Sequence, residues 1–471
     1  MSSSIYAARP WNQLYMSTVA PWLAPQTFRG LRKRLRAMEQ REAMSLTENA
    51  RLQWPAVVRL LQHAYETTPF YRERFDRAGI TPAQITSPQD FERLPALTRD
   101  DLRGHLDDLW SRRYRREDLL VAATGGTTSP PVELLRSPEM MPEKSAMQSR
   151  FDTWAGMWPG DKVFYLWGAR IDFVENPSWR WKLYDRYLMR RVWAPTSVLN
   201  EEVMESYRQI INDFRPRIIY AYPTPLAIFC KYLLECGKPY HRPLSAICTA
   251  EPLPPEDRET ISAALGCGIF ERYATRDFGT VAAECERHRG MHVHPDAVFV
   301  EYRAVEGGEV EGLHEILVTD LLNYGMPLIR YEIGDCTIPS GAACPCGRGY
   351  QLIGRIIGRT VDNFYLPNGD VVPGVSLTNR ITKVCPGIVK MQVIQDTIDS
   401  FRIRYVAGPA FLPSDLQNLG EKLKFFLGSS VTWKFEPATE IERERSGKTR
   451  FCISHVTEKD WAKAAELHPH A

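Results

Sequence analysis

The stretch Glu271-Arg272-Tyr273-Ala274-Thr275-Arg276-Asp277-Phe278-Gly279 follows the apolar run Leu265 to Phe270. Between Tyr273 and Gly279 it gathers an aromatic ring, a small residue, a hydroxyl, a carboxylate and a glycine. Alone it is one polar exit from one apolar segment. Its weight comes from five other polar loops of the kind that handles nucleotides, and from the α/β pattern around them.

That pattern begins after Leu119, where short apolar runs bounded by turn residues alternate with helical spacing. Strands are expected at Leu119 to Ala123, Val163 to Trp167, Ile218 to Tyr220 and Ala246 to Thr249. Half-exposed strands are expected at Val298 to Tyr302 and Glu315 to Thr319. Upstream lies a helical opening over 1–115. Its basic run, Arg29 to Arg36, reads as a surface helix, a type that also suits a membrane face. A second helix is expected from Pro55, with Val57, Leu60, Leu61 and Ala64 at helical spacing and an end at Thr67-Thr68-Pro69.

At 471 residues the chain exceeds one compact core. The fold class expected is α/β: a large domain over 1–357 with mixed sheets and flanking helices, then a small mobile α+β domain over 358–471. In the latter, Val389, Met391 and Val393 alternate, as do Phe401, Ile403 and Tyr405; Leu416, Leu419, Leu423 and Phe426 give a helix, and Val431, Trp433 and Phe435 a third strand. The tail after Asp460 reads as one more helix.

Lys plus Arg (59) and Asp plus Glu (57) almost cancel, which argues against nucleic acid as a partner. No apolar run approaches the ~18 residues of a membrane span, and the Ser-rich start is no signal peptide. A soluble cytoplasmic protein is expected, with its ten scattered cysteines reduced.

The first of the other loops is Thr124-Gly125-Gly126-Thr127-Thr128-Ser129-Pro130-Pro131, directly after an apolar strand. Glycines let backbone amides approach an anion, and hydroxyls add uncharged donors. The loop has the composition of a phosphate cradle and lacks the Gly-Lys-Ser/Thr ending of a P-loop. Tyr222-Pro223 and Thr249-Ala250-Glu251-Pro252-Leu253 both follow apolar strands, where open α/β sheets place ligands; singly, each reads equally as an ordinary strand exit. Arg330-Tyr331-Glu332-Ile333-Gly334-Asp335 sets an aspartate after a glycine turn, able to accept from both ribose hydroxyls or to serve the turn itself. Arg445-Ser446-Gly447-Lys448-Thr449-Arg450 puts a lysine on a glycine-flexed loop, suited to an oxyanion or to solvent.

In this order the loops resemble the adenylate-forming (acyl-CoA synthetase) superfamily, specifically its phenylacetate-CoA ligase and CapK-like branch. The resemblance runs over nearly the whole chain and includes His63-Ala64-Tyr65, Pro69-Phe70-Tyr71-Arg72, Met326-Pro327-Leu328-Ile329-Arg330-Tyr331 and Gly358-Arg359. It implies ATP and Mg²⁺ as cofactors, a small carboxylic acid as substrate and coenzyme A as acceptor, in a chain compatible with a homodimer. By that resemblance Thr124, Gly125, Gly126, Thr127, Thr128 and Ser129 would wrap the β- and γ-phosphates. Ala250, Glu251 and Pro252 would lie along the adenine, with Tyr273 stacking on it and Arg272, Ala274 and Thr275 beside it. Asp335 would hold the ribose, and Arg359 would approach the ribose or phosphates. Asp277 stands where the family has a glutamate for Mg²⁺, beside Arg276. Lys448 matches the lysine brought to the α-phosphate and carboxylate. Tyr222, Pro223 and Trp167 would face the acid. Trp154, Trp158, Trp167 and Trp179 would line an aryl pocket or belong to the core.

Besides Asp277, five positions depart from the family. Ser129 replaces the last glycine of the first loop, and Pro130 its basic residue. In the core stretch Ala274 replaces a glycine and Arg276 a Thr/Ser, while Val361 stands where a hinge aspartate is usual, with Asp362 next. These departures keep open an acceptor other than coenzyme A (an amine, another small nucleophile or a carrier-protein thiol) and a catalytically degenerate nucleotide binder.

Cys285, His292, Cys344 and Cys346 form a separate constellation. Three cysteines and a histidine suit a closed, structural tetrahedral Zn²⁺ site, with His288 or His294 as alternative ligands. CapK-like proteins carry similar Cys/His positions.

Overall fold

The computed structural model describes residues 9–23, 28, 30–123, 133–167, 178–196, 199–304, 312–340, 343–357, 363–368, 370–373, 377, 385, 387–441 and 451–456. The chain divides into two compact units: 1–124 with 132–161 and 270–358, and 125–131 with 162–269 and 359–471.

The first unit opens on helices. Leu31–Glu42 buries Leu31, Leu35, Met38 and Glu42, so Arg32 to Arg36 of the basic run lie on a helix, with their cations between the buried positions. Helix Leu46–Thr67 starts well before Pro55 and takes that proline into its interior. The reason is a capping box: Ser45 Oγ accepts from the Glu48 amide at 3.2 Å, and Glu48 Oε2 accepts from the Ser45 amide at 2.8 Å. The helix ends at Thr68, held extended ahead of Pro69, and Pro69–Ala78 follows as a new helix with proline in its first turn. Glu42 tolerates burial because Arg150, on helix Met140–Trp154, grips it through Nε at 2.5 Å and Nη2 at 2.6 Å.

Strands Val298–Ala304, His314–Asp320, Tyr331–Thr337 and Ile356–Ile357 form an antiparallel sheet in this unit. Val318 faces Tyr331 and Leu317 faces Glu332, yet Glu315 faces Cys336. Ile333-Gly334-Asp335 is therefore a bulge, and Gly334 takes φ 79° within it. The segment expected as a glycine-turn loop is a strand, bent at its glycine. A second antiparallel run comprises Gly268–Thr275, Gly279–Glu284, Met291–Val293 and Leu352–Ile353. Trp154 (3% exposed) and Trp158 (5%) sit in this unit's core with Phe151 and Tyr273, which settles both as core residues and not pocket lining.

In the second unit, Ser245–Thr249, Ile218–Ala221, Val163–Trp167 and Arg191–Pro195 lie side by side in parallel. Phe164, Leu166, Ile219, Ala221, Ala246 and Cys248 join one core with side chains from helices Glu201–Phe214, Pro223–Glu235 and Pro255–Leu265. The alternate positions carry rings: Tyr165 stacks on Trp193 at 4.3 Å and on Tyr220 at 5.3 Å, and Trp167 meets Tyr222 at 4.5 Å.

The C-terminal part of this unit pairs Ile388–Thr397 with Ser400–Ala407 in antiparallel register. Thr432–Pro437 and Cys452–Ser454 flank them in parallel, and helix Pro413–Leu427 packs Leu419, Leu423 and Phe426 into the same core. No described helix is long and apolar enough to cross a membrane.

Candidate active site and metal centre

The core stretch folds as a hairpin. Thr275 pairs with Gly279 across a turn of Arg276, Asp277 and Phe278, with Gly279 at φ 72°, where only glycine is unstrained. The Phe278 amide donates to Thr275 Oγ1 at 3.1 Å. Phe278 is buried, which pins the turn to the core and leaves Asp277 (6% exposed) within it. Ala274 sits at the register shift that follows Tyr273.

Two distant segments meet here. Tyr273 Oη donates to Asp335 Oδ2 at 2.9 Å, so the hairpin and the bulged strand share one polar corner. The bulge is what turns Asp335 out of strict alternation toward this corner. Arg272, the residue before, points the other way and pairs with buried Asp152 at 2.5 Å; burial raises Asp152 against the pull of that arginine.

Three cations that sequence reasoning did not single out surround the turn. Arg136, last residue of strand Glu133–Arg136, donates to the Arg276 carbonyl. Lys144 Nζ donates to the Phe278 carbonyl at 3.0 Å and pairs with Asp320 at 3.1 Å. Burial disfavours the charge of Arg99, but Tyr331, Asp277 and Asp335 outweigh it and hold Arg99 above its ordinary range. Burial pulls Arg136 down, opposed by Asp320 and Asp277. No local motif marks these residues. The one signal is that Arg136 closes the strand after the Gly/Thr loop, at the end of which the family's basic residue is replaced by Pro130.

Within the second unit, the Tyr222 and Ala250 exits meet. The Thr224 amide, in the first turn of helix Pro223–Glu235, donates to Glu251 Oε2 at 3.3 Å. Burial pushes Glu251 up to about 7, against the lowering effect of Thr224. Ala250 adopts φ 73°, a conformation that costs a β-carbon and that recurs at functional strand exits. Trp167 reaches Tyr222 here, whereas Trp179 is 67% exposed. Thr124, Gly125–Ser129, Arg359, Val361, Asp362, Lys448 and the tail after Asp460 lie outside the described residues.

The Cys/His constellation comes together in the first unit. Cys285 follows strand Gly279–Glu284, His292 lies in Met291–Val293, and Cys344 and Cys346 sit on the loop before Leu352. One ligand atom of each lies within 4.8 Å of every other. Cys285 Sγ stands 3.6 Å from Cys344 Sγ, and Cys346 Sγ stands 3.4 Å from His292 Nε2. A tetrahedral Zn²⁺ with ordinary bond lengths has S–S edges of about 3.8 Å and S–N edges of about 3.5 Å, so the donor set fits in type and size. Burial would raise Cys346, but the His292 contact and the Arg348 amide bring it down to about 6. His288 instead bonds Glu284 at 3.1 Å, and His294 Nδ1 accepts from the Asp296 amide at 3.3 Å.

The clip loop continues into the helical opening. The Gly349 amide donates to the Glu42 carbonyl at 3.1 Å, and Asn49 Nδ2 to the Gly349 carbonyl at 2.8 Å. A β-carbon on Gly349 would lie 1.9 Å from the Met44 carbonyl oxygen. No disulfide joins any of the ten cysteines, all of which are described.

Comparison with known proteins places this geometry. 2-Hydroxyisobutyryl-CoA ligase, solved with 2-HIB-AMP and CoA in its thioesterification state, superposes with a TM-score of 0.56 over 92% of this chain and 94% of its own, at 19% identity. The chain thus shares the fold of that CoA ligase. Sequence narrows the class. The profile of the CapK C-terminal domain matches residues 364–455. Protein CapK of Staphylococcus aureus is 24% identical over 83% of this chain and 86% of its own. The phenylacetate-coenzyme A ligase of Thermus thermophilus is 29% identical over 68% and 73%, and that of Escherichia coli 27% over 73% and 78%. In sequence the chain is similar to the phenylacetate-CoA ligases and CapK, members of the adenylate-forming (acyl-CoA synthetase) superfamily.

Proposed function

We propose that this protein activates a carboxylic acid with ATP as an acyl adenylate, releases pyrophosphate, and transfers the acyl group to the thiol of coenzyme A. The observation that carries this reading is the Tyr273–Asp335 hydrogen bond, which joins the core hairpin to the carboxylate assigned to the ribose. The names of the relatives, phenylacetate-coenzyme A ligases, support the acid and the acceptor.

A carboxylate resists attack because its leaving group is oxide. Attack by one carboxylate oxygen on the α-phosphorus of ATP breaks the bond to the β-phosphate oxygen, and pyrophosphate leaves with that electron pair. The acyl carbon then carries AMP as a good leaving group, which the coenzyme A thiolate displaces. The protein's task is to align anions and neutralise charge. Lys448, in the small domain 358–471, is assigned to the α-phosphate and carboxylate, and Gly125 to Ser129 to the outer phosphates. Ala250 to Pro252 are assigned to the adenine, Arg359 to the ribose or phosphates, and Tyr222, Pro223 and Trp167 to the acid.

Asp277 offers one buried carboxylate, and Mg²⁺ in such sites takes one or two carboxylates with substrate phosphates; the donor chemistry fits. When bound, Mg²⁺ would neutralise phosphate charge. Arg136 holds this turn in place beforehand through the Arg276 carbonyl, and Asp277 raises the charge preference of Arg99 and Arg136. Zn²⁺ at Cys285, His292, Cys344 and Cys346 is assigned a structural role.

The test is pyrophosphate release from a library of carboxylic acids, with Lys448→Ala lowering the rate by orders of magnitude. Unchanged turnover in that variant would refute the mechanism. Offering coenzyme A, amines and carrier-protein thiols to the preformed adenylate, and weighing the products, tests the acceptor.

A further inference from the structure

Residues Trp179 to Leu188 of the second unit run as one helical segment, Trp179–Leu183 continuing into the wider turn Tyr184–Leu188. Its burial is inverted. Trp179 is 67% exposed, Tyr187 66%, Leu183 45%, Leu188 40% and Trp181 39%. The residue buried instead is Asp185, at 8%, held by Arg191 Nε at 2.8 Å. A second anchor is polar as well: the Arg186 guanidinium lies over the Phe214 ring at 5.3 Å. The helix is fastened by charges while its large apolar side chains face water, the reverse of a helix stabilised by the core beneath it.

Trp179, Leu183 and Tyr187 are spaced four apart and so share one side. Arg180, Lys182 and Arg186 interleave with the apolar residues in sequence, and the single carboxylate, Asp185, is already paired with Arg191. Tryptophan, tyrosine and leucine mixed with arginine and lysine is the composition of a helix that lies in a lipid headgroup layer. Rings and aliphatic chains enter the acyl boundary there while cations meet anionic phosphates.

Other occupants fit less well. A two-fold contact between copies would set these cations against their own images. A helix of ten residues is about 15 Å long, short of the ~800 Å² that a standard protein interface takes from each partner. Insertion into headgroups has no such threshold.

We propose that Trp179 to Leu188 docks this protein peripherally on an anionic membrane surface. The inference is independent of the chemistry assigned above. Purified full-length protein is spun with phosphatidylcholine vesicles, with and without an anionic phospholipid, and the bound fraction is measured. The protein sediments with the anionic vesicles, remains in solution with the zwitterionic ones, and is released by high salt. Leu183→Ser with Tyr187→Ser lowers the partition coefficient about ten-fold or more; both side chains are exposed, so the melting temperature stays at the wild-type value and shows that folding is intact. Arg180→Glu lowers binding to anionic vesicles alone. Wild-type protein that ignores anionic vesicles overturns the proposal, as does a double variant that sediments like wild type. A dimer that the double variant dissociates, with no vesicle binding by wild type, overturns it in favour of a second copy.

Discussion

Tyr273 and Asp335 share a 2.9 Å hydrogen bond although 62 positions separate them in the chain. The tyrosine closes the regular part of the core hairpin, and the aspartate leaves its strand at a glycine bulge. Neither segment alone points to a site; their meeting is the geometry on which the nucleotide assignment rests. A phenol that donates to a carboxylate fixes its orientation and leaves its remaining lone pairs for ribose hydroxyls.

Tyr273→Phe keeps the ring and removes the donor. A hydrogen bond to a charged group is worth about 1.5–3 kcal/mol, so the KM for ATP rises about ten-fold while the acid's KM stays put. Steady-state pyrophosphate release at varied ATP measures this. An unchanged KM for ATP means that Asp335 serves the strand and not the nucleotide.

Arg136 anchors the turn from outside through the Arg276 carbonyl. Arg136→Gln loosens the turn that carries Asp277, and misplacement on the ångström scale costs up to about a hundred-fold in rate. Arg136→Lys keeps a donor and a charge and recovers part of the loss. Equal damage from both variants, with equal loss of melting temperature, would assign Arg136 to folding alone.

The site was legible where chemistry is local. Glycine, hydroxyl and carboxylate residues compressed into a short stretch singled out Tyr273 to Gly279, and three cysteines with a histidine singled out the Cys/His cluster that the fold brings together. Arg99, Arg136 and Lys144 were not legible, because a lone cation in a strand or helix looks the same whether it faces solvent or a carbonyl. Asp335 was read correctly as a polar position but on a loop, since a bulge and a turn both ask for glycine at positive φ. Pro55 drew the start of its helix too far along, although Ser45 and Glu48 carry the capping spacing. Tryptophan hydrophobicity could not separate buried Trp154 and Trp158 from exposed Trp179.

Purified protein is expected to hold about one Zn²⁺ per chain, and Cys344→Ser with Cys346→Ser to lose it. The loop after Cys346 bonds the helical opening through Gly349 and Asn49. Metal loss should therefore lower the melting temperature and raise amide exchange around Glu42 to Asn49. Metal analysis and exchange mass spectrometry read both. A zinc-free wild type, folded and active, refutes the clip.

Glu251 gives a dependence on pH with a definite sign. Burial raises its carboxyl to about 7 in the folded protein, above the usual carboxylate range, so the folded state keeps a proton that the unfolded chain has already lost. Below about pH 4.5 both states are protonated and the group contributes no difference. Between about pH 4.5 and 7 the unfolded chain ionises while the folded carboxyl beside the Thr224 amide stays protonated, so stability falls over that window and levels off above it. Glu251→Gln removes the ionisation. The variant should match wild type in urea unfolding near pH 5 and exceed it by about 1–3 kcal/mol near pH 8. Parallel stability curves across that range would show that Glu251 ionises freely when folded.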